Sequence, residues 1–146
     1  MHSVSVSGVI LDGHGRALLI QRRDIGRWEA PGGVLERDED IISGLLREVR
    51  EETGLDVTPQ AMTGVYKNMT RGIIALVFRC EAVGGQLSVN DEACAFRWAT
   101  ADEVRDLAAE AYAVRVLDAI QPLSSPAVRA HDGVRIIIGD CAPFPR

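Results

Sequence analysis

The stretch that decides the fold covers residues 33–55 and reads GVLERDEDIISGLLREVREETGL. Its second half has the apolar spacing of an amphipathic helix, and Glu48, Glu51 and Glu52 stand at positions i, i+3 and i+4. This spacing places three carboxylates close together on a helix surface, where like charges repel. A site for a hard divalent cation explains the arrangement, and a solvated acidic helix face is the alternative.

Three features of the same stretch favour the metal site. At about 100° per residue the apolar side chains fill one arc of the helix, and the acids border this arc, whereas solvated charge lies opposite it. Gly44 lies one turn before Glu48 on the same face, and a mid-helix glycine costs about 1 kcal/mol relative to alanine, so we interpret it as space kept beside the acids. The helix is also well delimited, with Asp38 as the predicted N-cap and Gly54 as the left-handed C-terminal stop.

The stretch also carries every defining position of the Nudix box. That pattern is a glycine, five residues, glutamate, seven residues, Arg-Glu, an aliphatic residue, any residue, Glu-Glu, any residue, glycine and an aliphatic residue. Here the positions are Gly33, Glu39, Arg47, Glu48, Val49, Glu51, Glu52, Gly54 and Leu55. The chain therefore resembles a Nudix hydrolase over residues 3–120. The resemblance implies an α/β fold, a Nudix-type α/β/α sandwich with a mixed sheet between helices, which the order of predicted elements also favours.

The resemblance further implies a metal site for phosphoryl chemistry. Mg²⁺ is the expected ion, with Mn²⁺ as a substitute, because hard cations take oxygen ligands. The candidate ligands are the Gly32 carbonyl and the carboxylates of Glu48, Glu51, Glu52 and Glu92. The candidate catalytic residues are Glu48, Glu51, Glu92 and Arg47.

The roles of these residues are only partly separated. Glu48 is either a metal ligand or the general base, and Glu92 is the rival base, with Asp91 as the runner-up in the same loop. We expect Arg47 to orient the glutamates by ion pairing. The implied reaction is the hydrolysis, by attack at phosphorus, of a nucleoside diphosphate linked to another group.

The substrate is less sharply indicated. The resemblance places Arg23 and Trp28 near the substrate, although a solvated strand end and loop packing explain them equally well, and we assign the adjacent Glu29 to the same site. A nucleoside triphosphate is the first expectation, and ADP-ribose or another nucleotide sugar is the alternative. Triphosphatases that hydrolyse oxidised nucleotides often have a lysine at the position of Val34, so an oxidised nucleotide is a less favoured substrate here. A non-catalytic nucleotide-binding module is a third hypothesis, disfavoured because every acid of the box is present.

Composition limits the partners. The net charge of −5 without a basic cluster argues against a nucleic acid polymer, and no apolar run is long enough for a membrane span. Three scattered cysteines, Cys80, Cys94 and Cys141, are typical of reduced thiols in a cytoplasmic protein. The length predicts one domain over residues 1–146, with a core at 3–120 and an extension at 121–146. A strand at 134–138 docks on the domain or on a second subunit, so a homodimer is left open.

Local patterns predict the remaining elements. Strands at 4–11 and 17–21 flank a glycine-rich turn and predict a hairpin. The apolar run at 73–80 predicts a central strand, whereas 87–89 predicts an edge strand. A last core strand is expected at 93–98. Thr100 with Glu103 predicts a capping box at the start of a helix, and a second helix follows at 110–120.

Overall fold

Nine strands and three helices form the part of the chain that the computed structural model describes, residues 1–139. Cys141 lies outside the described residues. The elements are β1 (Ser3–Ile10), β2 (Ala17–Arg22), β3 (Trp28–Glu29), β4 (Gly32–Val34), α1 (Ile41–Thr53), β5 (Leu55–Asn68), β6 (Ile73–Gly85), β7 (Ala93–Ala99), α2 (Ala101–Leu107), α3 (Glu110–Ile120), β8 (Ala127–His131) and β9 (Ile136–Ile138).

The strands form two sheets. A six-stranded mixed sheet has the order β4-β1-β6-β5-β8-β9, in which β1 runs parallel to β6 and antiparallel to β4. A smaller antiparallel sheet has the order β3-β2-β7. The predicted central strand is confirmed, because β6 lies between β1 and β5 and its side chains from 73 to 80 are buried or half-buried.

Helices cover both faces of the larger sheet. Val6 and Ile10 of β1 belong to one apolar cluster, in which they pack with Leu45 and Val49 of α1. Val9 belongs to a second cluster, which includes α2 and α3. Since neighbouring side chains of a strand point to opposite faces, the two clusters lie on the two sides of the sheet. The predicted α/β sandwich with a mixed sheet between helices is therefore confirmed.

The helix α1 begins two residues later than predicted. Asp40, rather than Asp38, is the N-cap, and its carboxylate accepts the N–H of Ser43 at 2.8 Å. The prediction was wrong because Glu39 is drawn out of the helix, where its carboxylate accepts the N–H of Glu36 at 2.9 Å. The C-terminal stop is confirmed, since Gly54 has a φ of 84° and donates its N–H to the carbonyl of Arg50.

Two predicted strand features are wrong. β1 and β2 form no hairpin, because both edges of β1 are taken by β4 and β6 and only the bridge between Leu11 and Ala17 joins the two strands. Residues 87–89 form no strand. The N–H of Ser88 donates to the carbonyl of Thr53 at 3.0 Å, so this segment packs against the end of α1 instead of extending a sheet.

The extension docks on its own domain. β8, which the sequence did not predict, pairs in parallel with the end of β5, and β9 pairs antiparallel with β8. The strand expected at 134–138 is thereby confirmed in part as β9 (Ile136–Ile138). Ala111 at the start of α3 donates its N–H to the carbonyl of Val134, which ties the extension to that helix. None of the helices within residues 1–139 has the length and apolar character of a membrane span.

Candidate active site

The last turns of α1 present two buried carboxylates. Glu48 is 8% exposed and Glu52 is 7% exposed, whereas the side chain of Glu51 is 54% exposed. Glu48 and Glu52 are four residues apart and lie on the same face of the helix, whereas Glu51 lies about 100° around the helix from Glu52 and faces solvent. The spacing that predicted three clustered acids therefore places two of them at the core edge and the third on the outer side.

A loop supplies the third carboxylate of the cluster. One carboxylate oxygen from each of Glu48, Glu52 and Glu92 lies within 4.8 Å of the other two. The Asn90 side chain holds this loop on the helix, since its Nδ2 donates to the carbonyl of Glu52 at 2.6 Å and its Oδ1 accepts the N–H of Glu92 at 2.9 Å. Sequence analysis missed Asn90, although an asparagine that caps its own loop is a recognisable turn signal.

Burial and mutual repulsion disfavour the charged state of this cluster. Burial raises the pKa of Glu52 to about 8, and the charges of Glu92 and Glu48 add to this effect. Burial also raises the pKa of Glu48, although the guanidinium of Arg47 opposes the shift. A divalent cation would offset the same repulsion, and three convergent carboxylate oxygens are the donors that Mg²⁺ or Mn²⁺ prefers, so the residues fit such an ion.

Arg47 connects the glutamates of the box. Its Nη1 donates to Glu48 at 2.8 Å and to Glu51 at 3.2 Å, and its Nε donates to Glu39 at 2.9 Å. The hydrogen bonds that Glu39 accepts from Arg47 and from the N–H of Glu36 lower its pKa to about 2. Glu39 therefore braces the loop before α1, and Arg47 lies where it can orient the acids.

Glycines let the backbone approach these acids closely. The N–H of Gly32 donates to Oε2 of Glu52 at 3.3 Å, and a Cβ on Gly33 would overlap the carboxylate of Glu48. Gly44 has a different role from the one we inferred. A Cβ there would overlap Leu35 and crowd Glu39, so the free space beside this residue is filled by the loop before α1.

Two neighbouring cavities flank the Gly32–Gly33 turn. The acidic pocket, of about 400 Å³, contains Glu48, Glu52, Glu92 and Asp91. The basic pocket, of about 170 Å³, lies on the other side of the turn. Its charged and polar lining is Ser5, Ser7, Arg22, Arg27, Glu29, Asn68, Arg71, Tyr112 and Arg115. Both cavities are lined by Arg22, Glu29 and Val34 as well as by the turn, so they lie side by side.

The three residues predicted to bind substrate lie in different places. Glu29 lines both pockets and forms ion pairs with Arg22 at 3.5 Å and Arg27 at 3.4 Å. Arg23 instead donates from Nε and Nη2 to the carbonyl of Asn90, which braces the loop of Glu92. Trp28 packs against the apolar cluster beneath α3.

The basic pocket was not predicted from the sequence. Its arginines come from β2, from the loop after it, from the β5–β6 turn and from α3. No local pattern connects positions 22, 27, 71 and 115, and the net charge of −5 pointed away from any basic site. Tyr112 also lines this pocket, with the guanidinium of Arg27 4.0 Å from the centre of its ring.

Comparisons with known proteins agree with this geometry. The family model of the NUDIX domain matches residues 1–119. A MutT-like protein of Streptomyces ambofaciens is 53% identical over 137 residues, which cover 94% of this chain and 88% of that protein. An ADP-ribose pyrophosphatase of Methanocaldococcus jannaschii is 34% identical over 98 residues, which cover 62% of this chain and 57% of that protein.

Solved structures share the fold. The crystal structure of an ADP-ribose pyrophosphatase from Streptococcus suis superposes with a TM-score of 0.74 at 22% identity, covering 90% of this chain and all of that one. The match to the family model and the 53% identity to the Streptomyces protein define the class. The chain belongs to the Nudix family and is a hydrolase that acts on phosphoanhydride bonds.

Proposed function

We propose that this hydrolase is a divalent-cation-dependent pyrophosphohydrolase that cleaves a nucleoside diphosphate linked to another moiety. Mg²⁺ is the expected ion and Mn²⁺ its substitute. The observation that carries the proposal is the cluster of Glu48, Glu52 and Glu92, whose oxygens converge within 4.8 Å beside a pocket lined by arginines. Acids suit a metal–diphosphate complex, and the adjoining arginines suit the anionic remainder of a nucleotide.

The cluster of Glu48, Glu52 and Glu92 would hold the ion. The Gly32 carbonyl and Glu51 remain predicted ligands, and Glu51 pairs with Arg47 on the outer side of the helix. A divalent cation supplies charge neutralisation at the diphosphate and lowers the pKa of a bound water. The N–H of Gly32 and the guanidinium of Arg47 hold the glutamate oxygens in place, so the chain keeps the acids oriented.

Between the two candidate bases we favour Glu92. The Oε1 atom of Glu48 already accepts a hydrogen bond from Arg47, so this oxygen is occupied by another donor. Glu92 is exposed, and its carboxylate accepts no hydrogen bond from residues 1–139. Its loop can therefore present a free carboxylate to a water molecule at the diphosphate.

For the substrate, a nucleoside triphosphate stays the first proposal, and ADP-ribose or another nucleotide sugar is the alternative. The similarity to a MutT-like protein and to an ADP-ribose pyrophosphatase supports a small nucleotide in either case. The non-catalytic alternative loses ground, because the site retains every acid that a hydrolase needs. A panel of nucleoside triphosphates, ADP-ribose and nucleotide sugars with Mg²⁺ separates these possibilities through the phosphate, pyrophosphate or mononucleotide released.

The variants Glu48→Gln and Glu52→Gln should each abolish turnover while the fold is retained. Glu81→Gln is the matched control, because Glu81 is an exposed glutamate on β6, far along the chain from the box. Near-wild-type rates in either box variant would show the site to be misassigned. Failure to cleave any member of the panel with Mg²⁺ or Mn²⁺ would refute the proposed reaction.

Three broader assignments also stay proposals. We place residues 1–146 in one catalytic domain, whose extension joins the main sheet through β8. A cytoplasmic location is supported by the free thiols of Cys80 and Cys94. A homodimer stays open.

A further inference from the structure

We propose that the basic pocket binds a second anionic group of the substrate, a phosphate or carboxylate beyond the scissile diphosphate, with Arg115 as its central ligand. This inference rests on the proposed function, because it assumes that the diphosphate lies at the acidic pocket. It narrows the substrate class to nucleotides that carry such a group within reach of both cavities.

The first observation is that Arg115 has no carboxylate or carbonyl partner among residues 1–139. Its Nη2 lies 3.0 Å from Nε2 of His131, but Nδ1 of that ring already accepts the N–H of Gly133 at 3.0 Å. A neutral imidazole has one acceptor nitrogen, so His131 can accept a hydrogen bond from Gly133 or from Arg115 but not from both. The Nε of Arg115 is buried and has no partner.

The second observation is the charge of the pocket. Arg22 and Arg27 share the carboxylate of Glu29. Arg71 and Arg115 form no ion pair with a carboxylate within residues 1–139. Charges that are buried or half-buried in proteins are usually paired, so the unpaired, half-buried guanidinium of Arg115 leaves room for an anion beside the exposed guanidinium of Arg71.

The third observation is that Arg115 is held in place without a counter-ion. Its guanidinium lies 4.9 Å from the ring centre of Tyr112 and 5.4 Å from that of Tyr66. Cation–π contacts orient a guanidinium without neutralising it. His131 comes from β8, so the C-terminal extension forms the wall behind Arg115. This arrangement is a preorganised anion site rather than a structural ion pair.

The size and position of the pocket limit the occupant. At about 170 Å³ the cavity is smaller than the roughly 300–1,000 Å³ of sites that enclose a whole drug-sized ligand. It therefore suits one charged group and its attachment, while the rest of the ligand extends over the shared wall of Glu29 and Val34 into the acidic pocket.

Three matched pairs of compounds test the inference and identify the source of the charge. GTP with GDP tests a terminal phosphate, 2′-phospho-ADP-ribose with ADP-ribose tests a ribose phosphate, and UDP-glucuronic acid with UDP-glucose tests a sugar carboxylate. In at least one pair the member with the additional phosphate or carboxylate should have a KM at least tenfold lower than its partner, because hydrogen bonds to ionised groups are stronger than those between neutral groups. No preference in any pair, or a KM that follows the base instead of the charge, would overturn the inference.

Variants then connect the preference to the pocket. Arg115→Met and Arg71→Ala should each raise the KM of the member with the additional anionic group about tenfold and leave the KM of the member without it within twofold. Arg50→Ala is the matched control, since Arg50 lies on the outer face of α1 and pairs with Asp56. An equal change for both members of a pair would contradict a role in binding the extra charge.

Stability and metal-free binding complete the test. Because Arg115 has no counter-ion, Arg115→Met should unfold at the same or a higher denaturant concentration than the wild type, whereas a structural role predicts a clear loss. Inorganic phosphate titrated calorimetrically in EDTA should bind the wild type and bind Arg115→Met at least tenfold more weakly. This measurement needs no turnover, so the inference can fail while the hydrolysis stands, or stand while the hydrolysis fails.

Discussion

Replacement of Glu52 by glutamine should stabilise the metal-free protein while it abolishes turnover. In the folded protein burial raises the pKa of Glu52 from its ordinary value of 4.5 to about 8, and neighbouring carboxylates add to the shift. The folded state then binds more protons than the unfolded state over this range. The contribution of this carboxyl to stability is therefore complete below pH 4.5 and is lost as the pH rises to about 8.

The size of the gain follows from that shift. At pH 7, which is about 2.5 units above the pKa of the unfolded carboxyl, this group is ionised in the unfolded state but still mostly protonated in the folded state. At about 1.4 kcal/mol per unit, folding costs up to roughly 3 kcal/mol at this group. Glutamine carries no charge and can still accept the N–H of Gly32, so we expect the free energy of unfolding to increase by about 1 to 3 kcal/mol.

Urea unfolding in EDTA at pH 7 and pH 4.5 provides the assay. The stability difference between Glu52→Gln and the wild type should fall below about 0.5 kcal/mol at pH 4.5, where the folded carboxyl is protonated and the unfolded carboxyl is about half protonated. Glu81→Gln, at an exposed position, should change stability at neither pH. The reasoning would be refuted if Glu52→Gln is no more stable than the wild type at pH 7, or if the control variant gains as much stability. Either result would show that the buried Glu52 carboxylate does not destabilise the metal-free protein.

The remaining predictions concern a glycine, a helix cap and a histidine. Gly33→Ala should lower kcat/KM by about 10- to 100-fold, because its Cβ overlaps the carboxylate of Glu48, whereas Gly13→Ala, in open space, should leave the rate unchanged. Thr100→Ala should lower the free energy of unfolding by about 1 kcal/mol through loss of the capping box, and serine at that position should restore it. Burial and an adjacent guanidinium lower the pKa of His131 from 6.5 to about 4, so the folded state binds fewer protons. The stability that neutral His131 contributes is present above pH 6.5, and about 2 to 3 kcal/mol of it is lost as the pH falls to 4. The difference in the free energy of unfolding between wild type and His131→Gln, measured in urea, should follow this pH dependence. A difference that does not change with pH would contradict the prediction.

Much of the fold followed from local patterns. The capping box of α2, the glycine stop of α1 and the central strand β6 each depend on residues close in the chain, and all three are present. The hairpin failed because strand pairing is decided by which partner takes an edge, and β6 reaches β1 from more than 60 residues away. β8 was missed because a short strand that joins an existing sheet needs little apolar pattern of its own.

The sequence by itself indicated the reaction class, because every position of the Nudix box lies within residues 33–55 and the resemblance to Nudix hydrolases implies the reaction. The tertiary structure decided the rest of the site. It turned Glu51 outward, carried Glu92 to the helix through Asn90, and gathered Arg71 and Arg115 into one pocket. Charges distant in the chain meet only when sheets and helices pack, so an acidic sequence can form a basic cavity that no local pattern records.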